Sequence, residues 1–265
     1  MKLRYLLLLV FATGFLFYSC KKSSTEPTAP EGAVTAKNYY PGGVGSSFVY
    51  SVDTTGAGGA LTTRTSVFTG TKTINGTEYI SQVSSVKIGP DSVKSTMYFR
   101  RSDVGVYFFI DTAGIGKFIP DSIKSQLTVQ IDNELRAFNY PLDKSLPWSA
   151  FRMNIKYGSL ITLNVIDLAA SYQGNENLTL NLSSGQKTLP AEKIKYDFTL
   201  TIPDLNNPLN PSKRTFSADA WFVKDIGVVK FQGNGTILGA LSGGGINFAD
   251  TTKTVSQNLT SYDIK

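Results

Sequence analysis

Histidine and cysteine, the side chains that most often act as base and nucleophile, are almost missing from this sequence. Its 265 residues include no histidine and a single cysteine, Cys20. Ser-His-Asp and Cys-His mechanisms need an imidazole to accept the proton of the nucleophile, so the composition excludes both. A His/Cys zinc site and an intrachain disulfide are excluded too, since one cysteine is too few for either. Because the sequence also has no calcium-type Asp-x-Asp-x-Asp-Gly loop, we expect no metal and no cofactor.

Paired carboxylates could still support catalysis without histidine, because a glycosidase needs only two acidic side chains. The aspartates, however, are spread among predicted turns, and Asp132–Glu134 is interpreted as a short solvated turn. The glutamates beyond residue 37 are Glu78, Glu134, Glu176 and Glu192. No two carboxylates are predicted to converge. We therefore expect that the protein is not an enzyme, and a carboxylate-dependent glycosidase is the third alternative.

The single cysteine follows an N-terminal leader. Met1–Arg4 is positively charged, Tyr5–Phe17 is an uncharged apolar run too short to span a bilayer comfortably, and Ser19 precedes Cys20. This layout predicts a signal peptide over residues 1–19. It resembles the lipobox of bacterial lipoproteins, although Phe17 replaces the usual Leu. The resemblance implies that Cys20 carries a lipid such as palmitate, and an ordinary signal peptide with an incidental cysteine is the alternative.

A segment without core-forming residues separates Cys20 from the predicted domain. Lys21–Ala36 is rich in Ser, Thr, Pro and Glu, so it cannot bury enough apolar surface to fold. We interpret residues 20–37 as a lipidated, flexible tether and residues 38–265 as a single β-rich domain. Lys21 stands where enteric lipoproteins retained at the inner membrane carry Asp, which favours the outer membrane and leaves its periplasmic and surface faces open.

The net charge of +6 is concentrated near the N-terminus. Five positive and two negative side chains lie before residue 38, which leaves +3 for the predicted domain. The sequence has no run of five or more basic residues. Because nucleic-acid binding depends on neutralising many phosphates, we expect no nucleic-acid partner.

Residues from Ser47 onward alternate in character with a period of two, which is typical of strands with one buried face. Asn75-Gly76 between two β-rich runs predicts a tight hairpin, because both residues tolerate positive φ. Helix signals are limited to Asp121–Leu127, and Ile166–Tyr172 is ambiguous between helix and strand. Strands are predicted at 47–52, 62–74, 78–88, 93–101, 106–110, 127–131, 151–157, 160–166, 178–182, 193–202, 215–223, 228–232 and 255–263. The predicted fold class is all-β: a large antiparallel curved sheet (half-barrel) or a β-sandwich, with few short helices.

Three short segments, Tyr39–Tyr50, Tyr140–Trp148 and Ala220–Phe231, frame most of the predicted domain. They resemble motifs of uncharacterised secreted lipoproteins of the Bacteroidota, which open with Tyr-(Phe/Tyr)-Pro-Leu-x-x-Gly-x-x-Trp-x-Tyr and carry Trp-(Tyr/Phe)-x-x-x-(Ile/Val)-Gly-x-Val-Lys late in the chain. Gly42 and Phe48 depart from the Leu and Trp of the first motif. Such chains are distantly similar to the half-barrels of the LolA/LolB lipoprotein carriers, a resemblance that implies a fold but no particular function.

The leader, the β pattern and the missing catalytic residue types predict a membrane-anchored envelope lipoprotein with a non-catalytic binding role. We expect a concave apolar face that holds a lipid or an acyl chain. Candidate ligand-contact aromatics are Trp148, Trp221 and Phe222, whose alternative role is to anchor the core. An outer-membrane glycan-binding or adhesion lipoprotein is the alternative function. It predicts an exposed aromatic platform at these tryptophans or at Tyr107–Phe109.

Two further patterns each have a functional and a structural interpretation. Five Asp-Ser/Thr tripeptides resemble the O-glycosylation site of exported Bacteroidota proteins, although such pairs are also common in turns and caps. Their hydroxyl residues are Thr54, Ser92, Thr112, Ser122 and Thr251. The segment Gly239–Gly245 lacks the Lys-Ser/Thr of a phosphate loop, and we interpret it as a flexible hairpin loop.

Overall fold

The computed structural model describes residues 32–55, 61–88, 91–112, 127–157, 161–202, 211–242 and 252–265. The predicted signal peptide, Cys20 and most of the predicted tether lie outside the described residues. So do Ser122, Thr251, residues 121–126 of the predicted short helix and the last three glycines of the segment at 239–245.

In the described part of the chain, thirteen strands form one antiparallel sheet that is curled into a half-barrel. They are β1 (Ser47–Thr55), β2 (Leu61–Ile74), β3 (Thr77–Ile88), β4 (Asp91–Arg101), β5 (Gly105–Phe109), β6 (Leu127–Ile131), β7 (Glu134–Asn139), β8 (Trp148–Tyr157), β9 (Ile161–Leu182), β10 (Gly185–Ile202), β11 (Ser212–Val223), β12 (Gly227–Asn234) and β13 (Thr254–Asp263). Their order across the sheet is β6-β8-β9-β10-β11-β12-β13-β1-β2-β3-β4-β5-β7. A 3-10 turn (Ala36–Tyr39) precedes β1, and helix α1 (Gly235–Ser242) follows β12. The expected all-β class is confirmed, as a half-barrel and not as a sandwich.

Alternating burial along the strands shows which face of the sheet forms the core. In β1, Phe48, Tyr50 and Val52 are buried, whereas the residues between them are partly exposed. In β10, Tyr196 and Phe198 follow the same alternation. Because the sheet is curled, the inward side chains of distant strands pack against one another and form one continuous apolar cluster.

Both faces of the sheet are covered at β11, where the four consecutive residues Ala220–Val223 are buried. The far half of the long β9–β10 hairpin supplies the second cover. Glu176 of β9 accepts a hydrogen bond from the Trp221 indole. The tip of the hairpin reaches β13, where Ser183 N donates to Thr260 O (2.7 Å).

The predicted hairpin turn and the predicted strand at 255–263 agree with the structure. Asn75 (φ 51°) and Gly76 (φ 80°) make the hairpin between β2 and β3. Strand β13 lies between β12 and β1, so it joins the half of the sheet that contains β1–β5 and β7 to the half that contains β6 and β8–β12.

Two local expectations differ from the structure. The predicted strands at 160–166 and 178–182, with ambiguous Ile166–Tyr172 between them, are one 22-residue strand, because β10 pairs with β9 along most of its length. Gly239–Ser242, expected in a flexible loop, forms the second half of α1. Burial of Ile237 and Ala240 outweighs the low helix propensity of the glycines.

Candidate functional site

Five polar residues interrupt the apolar core on the inner face of β13, β2 and β3. This polar patch consists of Gln257 on β13, Arg64 and Ser66 on β2, and Gln82 and Ser84 on β3, and all five are buried. Strand alternation explains their orientation, because residues two apart on a strand face the same side of the sheet. Polar side chains are seldom buried without a hydrogen-bonding or functional reason, so each of the five needs its partners accounted for.

A small cavity of about 30 Å³ borders the polar patch. That volume has room for about one or two water molecules. Most of the wall is apolar and includes Phe108, Phe222, Phe231, Leu238 and Leu241. None of the described residues in the wall is acidic.

Arg64 places a buried cation at the cavity wall. The residue is 8% exposed, and its Nε and Nη1 atoms have no hydrogen-bond partner among the described residues. Its guanidinium lies 4.7 Å from the ring centre of Tyr50, a cation–π contact that leaves these N–H donors unsatisfied. Burial lowers the pKa of Arg64, but a guanidinium remains charged in proteins. A buried charge is costly unless an anion accompanies it, so this site is suited to an anionic group.

Gln257 is the other member of the polar patch with unused hydrogen-bonding atoms. It is 1% exposed, and within the described part of the chain neither its Nε2 nor its Oε1 has a partner. Gln82, in contrast, accepts a hydrogen bond from the Tyr40 hydroxyl (2.7 Å), and the hydroxyls of Ser66 and Ser84 bond to each other (2.8 Å). The unused groups of the patch therefore belong to this glutamine and to the arginine of β2, and both line the cavity.

Helix α1 forms the part of the cavity wall that does not belong to the sheet. It contributes Leu238, Leu241 and Ser242 to the wall, and buried Ile237 holds it against the sheet. A helix of eight residues that includes two glycines is marginal by itself, so α1 depends on a few side-chain contacts. Because α1 is not part of the sheet, side-chain contacts and not strand pairing cover the cavity at this point.

Arg64 and Gln257 are not among the ligand-contact residues predicted from the sequence. The signal for Arg64 was present, because Arg64 and Phe68 are four residues apart on one predicted strand and must face the same side. Gln257 likewise has the parity of Val255 and Leu259, both of which are buried. The sequence could thus show that these polar residues face inward, but it could not show that they lack hydrogen-bond partners.

The predicted ligand-contact aromatics are all buried, and they separate into two groups. Phe222 lines the cavity. Trp148 and Trp221 lie elsewhere in the core, and the Trp148 indole donates a hydrogen bond to the backbone oxygen of Arg136 (3.0 Å). Neither tryptophan presents an open ring face to solvent, so both act in the structure as core anchors.

The contacts of the Trp221 side chain explain its structural role. The ammonium groups of Lys193 and Lys230, on the two neighbouring strands, lie 4.9 and 4.6 Å from its ring centre. Its indole nitrogen bonds the carboxylate of Glu176 in the long hairpin. Trp221 therefore fastens the β9–β10 hairpin over the sheet.

A second, open pocket of about 290 Å³ lies where β5, β7 and β8 meet. Tyr107, Asp132, Glu134, Arg136 and Ser149 are among the residues that line it. The Tyr107 ring packs against two guanidinium groups, at 4.0 and 5.6 Å from its centre. Because arginines occupy the ring, Tyr107 is a poor platform for stacking a sugar.

Glu134 was expected in a solvated turn, but it begins β7 and forms a partly buried ion pair. Arg100 donates to both of its carboxylate oxygens (2.6 and 2.7 Å), and the Tyr79 hydroxyl donates to Oε1 (2.6 Å). Burial raises the pKa of Glu134, but the hydrogen bonds and the charge of Arg100 outweigh it and hold the pKa below its ordinary value. Burial and the contact with Glu134 raise the pKa of Tyr79 to about 12. The carboxylate therefore stays ionised near neutral pH and has no proton to give as a general acid.

The three sequence segments with resemblance to Bacteroidota motifs meet around the start of β1. The Tyr39 ring stacks on Phe138 at 4.8 Å and lies 6.2 Å from the ring of Tyr140. The Tyr50 hydroxyl donates to Val228 O (3.1 Å), and Asn38 O, just before the first segment, accepts from Asp225 N (2.6 Å). The motifs therefore have a structural role. They hold the segment that leads into β1 against the end of β7 and against the β11–β12 hairpin.

The Asp-Ser/Thr hydroxyls lie in different settings. Ser92 is exposed on β4 and hydrogen-bonds Ser85 (2.6 Å), whereas Thr54 on β1 and Thr112 beyond β5 are partly buried. In the described residues no group of three or more His, Cys, Asp and Glu side chains is arranged to hold a metal ion, and no helix has the length and apolar character required to cross a membrane.

No protein-family model and no curated protein matches this chain. Two solved structures from the Bacteroidota have a related shape. One is a candidate lipoprotein of Parabacteroides distasonis, with a TM-score of 0.45 and 12% identity over 87% of this chain and 100% of that one. The other is a candidate exported protein with a YmcC-like fold from Bacteroides fragilis, with a TM-score of 0.43 and 10% identity over 84% of this chain and 97% of that one. Likeness at this level supports no conclusion about activity or ligand.

Proposed function

We propose that this protein is a lipid-anchored envelope lipoprotein that binds a lipid or an acyl chain inside its half-barrel without catalysing a reaction. One observation carries the proposal: the cavity combines an aromatic and aliphatic wall with polar atoms of a buried cation and a buried amide that have no hydrogen-bond partner in the described structure. An amphiphile satisfies both parts, because its chain covers apolar wall and its head group meets the polar atoms.

The size of the cavity requires that α1 moves when a chain enters. Binding sites for small molecules have volumes of roughly 300–1,000 Å³, about ten times the volume seen here or more. The leucines of α1 cover the same aromatic side chains that an acyl chain would cover. Entry of the ligand thus exchanges one apolar contact for another, and the sheet keeps its pairing.

The proposed location rests on the sequence. The leader, Cys20 and the tether support attachment to a membrane, and Lys21 favours the outer membrane. The glycan-binding alternative has less support, since the tryptophans expected on its platform are buried in the core.

Acyl binding is tested with the chain from Lys21 onward, which contains every described residue. A fluorescent polyene fatty acid is titrated into the protein, and lipids that copurify with it are extracted and identified by mass spectrometry. We expect saturable binding at one site. Leu241→Asp places a carboxylate in the cavity wall and should weaken binding about tenfold or more, while exposed Leu146→Asp should not. Absence of saturable binding to the unaltered chain would refute the function.

The anchor is tested separately in cells. Incorporation of labelled palmitate should disappear in Cys20→Ala and persist in the tether variant Ser23→Ala. Palmitate labelling that survives in Cys20→Ala would show that the lipid is not on this cysteine.

A further inference from the structure

We infer that Arg64 and Gln257 form the head-group site of the cavity, and that the ligand is a single-chain carboxylic acid bound with its carboxylate inward. This inference rests on the proposed acyl-binding function and names the class of ligand. It adds what an apolar groove alone would not require, namely a negative charge at the inner end of the chain.

The unused hydrogen-bond donors of the site match the acceptor oxygens of a carboxylate. Arg64 offers N–H donors at Nε and Nη1, and Gln257 offers a further donor at Nε2. A carboxylate has two oxygens that accept several hydrogen bonds, and its charge compensates the guanidinium. The Gln257 Oε1 remains as an acceptor for a water molecule that accompanies the head group.

The size of the cavity favours a carboxylate over a phospholipid head. Before α1 moves, the whole cavity measures about 30 Å³. The sheet keeps its pairing when α1 moves, so the space at Arg64 and Gln257 on the sheet side stays suited to a group of about the size of one or two water molecules. A glycerophosphate with two acyl chains needs far more space at the same point. Around the polar end, Phe222 and Phe231 from the sheet and Leu238 and Leu241 from α1 provide apolar surface for the methylene groups.

A purely structural role for Arg64 makes a different prediction about the stability of the folded protein. If its contact with Tyr50 stabilised the fold, then removing the charge would destabilise the protein. The contact with Tyr50 leaves Nε and Nη1 without hydrogen-bond partners, and the described wall supplies no acid. The arginine is therefore kept at a cost to stability, which is expected of a residue that waits for a ligand.

The test compares ligands that differ only in the head group. Oleate, oleyl alcohol, acetate and a lysophosphatidic acid with the same chain are titrated against the chain from Lys21 onward and against its variants Arg64→Met, Arg64→Lys and Gln257→Leu. Exposed Arg214→Met on β11 is the matched control, since it removes the same charge elsewhere. Thermal unfolding of each variant shows that it is folded.

We expect oleate to bind the unaltered chain more tightly than any of the other three ligands. Arg64→Met should weaken oleate binding about 10–100-fold and leave oleyl alcohol unchanged, because hydrogen bonds to a charged group contribute about 1.5–3 kcal/mol. Arg64→Lys should retain part of the affinity, Gln257→Leu should lose a smaller part, and Arg214→Met should equal the unaltered chain.

Each contrary result has a distinct meaning. Equal binding of oleate and oleyl alcohol, unaffected by Arg64→Met, would overturn the head-group site and leave acyl binding intact. Acetate that binds as well as oleate would overturn the requirement for a chain, and tighter binding of the lysophosphatidic acid would overturn the carboxylate. Failure of every acyl ligand would refute the proposed function itself.

Discussion

Arg64 illustrates how one side chain can lower stability in favour of binding. Two of its nitrogen atoms are buried without partners in the described structure, so the folded state bears a desolvation cost that the unfolded state does not. Arg64→Met keeps a similar length and removes the charge. We expect it to raise the free energy of unfolding by about 1–3 kcal/mol, measured by urea denaturation at neutral pH.

The control for this measurement is Arg214→Met, which should change stability by less than about 0.5 kcal/mol because the residue is exposed. A loss of stability in Arg64→Met would show that its contact with Tyr50 outweighs the cost of burial, and the arginine would then be a structural residue.

Glu134 gives the opposite case, a charged residue whose partners are all in place. Its pKa in the folded protein lies below the ordinary value of 4.5, so the unfolded chain takes up protons first as the pH falls. The stabilisation is complete above the unfolded pKa and is lost as the pH falls through the lower folded pKa. In Glu134→Gln we expect a loss of about 1–2 kcal/mol at pH 7 and a shallower decline of stability between about pH 5 and 3.

Partial exposure of the pair, 26% for the Arg100 side chain and 23% for Glu134, limits the size of this effect. Urea denaturation at several pH values provides the comparison. Exposed Glu78→Gln removes the same charge from β3, next to Tyr79, and serves as the control. If both variants showed the same pH profile as the unaltered chain, the ion pair would contribute nothing to acid sensitivity.

At the scale of elements, the end of β12 depends on a residue without a side chain. Gly233 has φ +140°, and a Cβ added there would lie 2.5 Å from the Cα of Ala218 and 2.7 Å from the oxygen of Ser217. Gly233→Ala therefore forces β11 and β12 apart just before α1. We expect a loss of about 3 kcal/mol or more in thermal or urea unfolding.

The matched substitution is Gly70→Ala in β2, where an added Cβ meets no atom within 4 Å and φ is not in the left-handed range. It should be neutral or stabilising by about 0.5–1 kcal/mol, since glycine weakens a strand relative to alanine. Equal effects of the two substitutions would mean that the β11–β12 pair has room to adjust.

The elements differ in how far the sequence could predict them. The β2–β3 hairpin was predictable because Asn75-Gly76 determines a turn from two residues alone. Helix α1 was not, since its eight residues contain two glycines and only packing of Ile237 against distant strands makes it helical. The candidate site could be predicted in part. Alternation along β2 shows that Arg64 faces inward, but whether an acidic residue faces it depends on strands that are far apart in sequence.

At the scale of the whole molecule, β13 is the strand that joins the two halves of the sheet. It pairs with β1 on one side and β12 on the other, and its pairs with β1 join residues about 200 positions apart. Contacts of such long range form late and slowly, because the intervening chain must be ordered first. The β1–β5 and β8–β12 meanders, by contrast, are built from neighbouring strands.

Deleting β13 and changing only its position in the chain order should therefore have opposite outcomes. Deleting residues 254–265 exposes the edges of β1 and β12 and is expected to yield aggregated protein, because unpaired strand edges recruit other chains. A circular permutant retains the strand pairs. Gly43 N bonds Lys265 O (3.0 Å), so the C-terminus lies beside the segment that leads into β1. A flexible linker of about 15 residues is long enough to join Lys265 to residue 32, with new termini at Asn75-Gly76. We expect the permutant to be monomeric in size-exclusion chromatography, with a β-type circular dichroism spectrum like that of the unaltered chain. A monomeric, cooperatively folding deletion variant would show that the two halves hold together without β13.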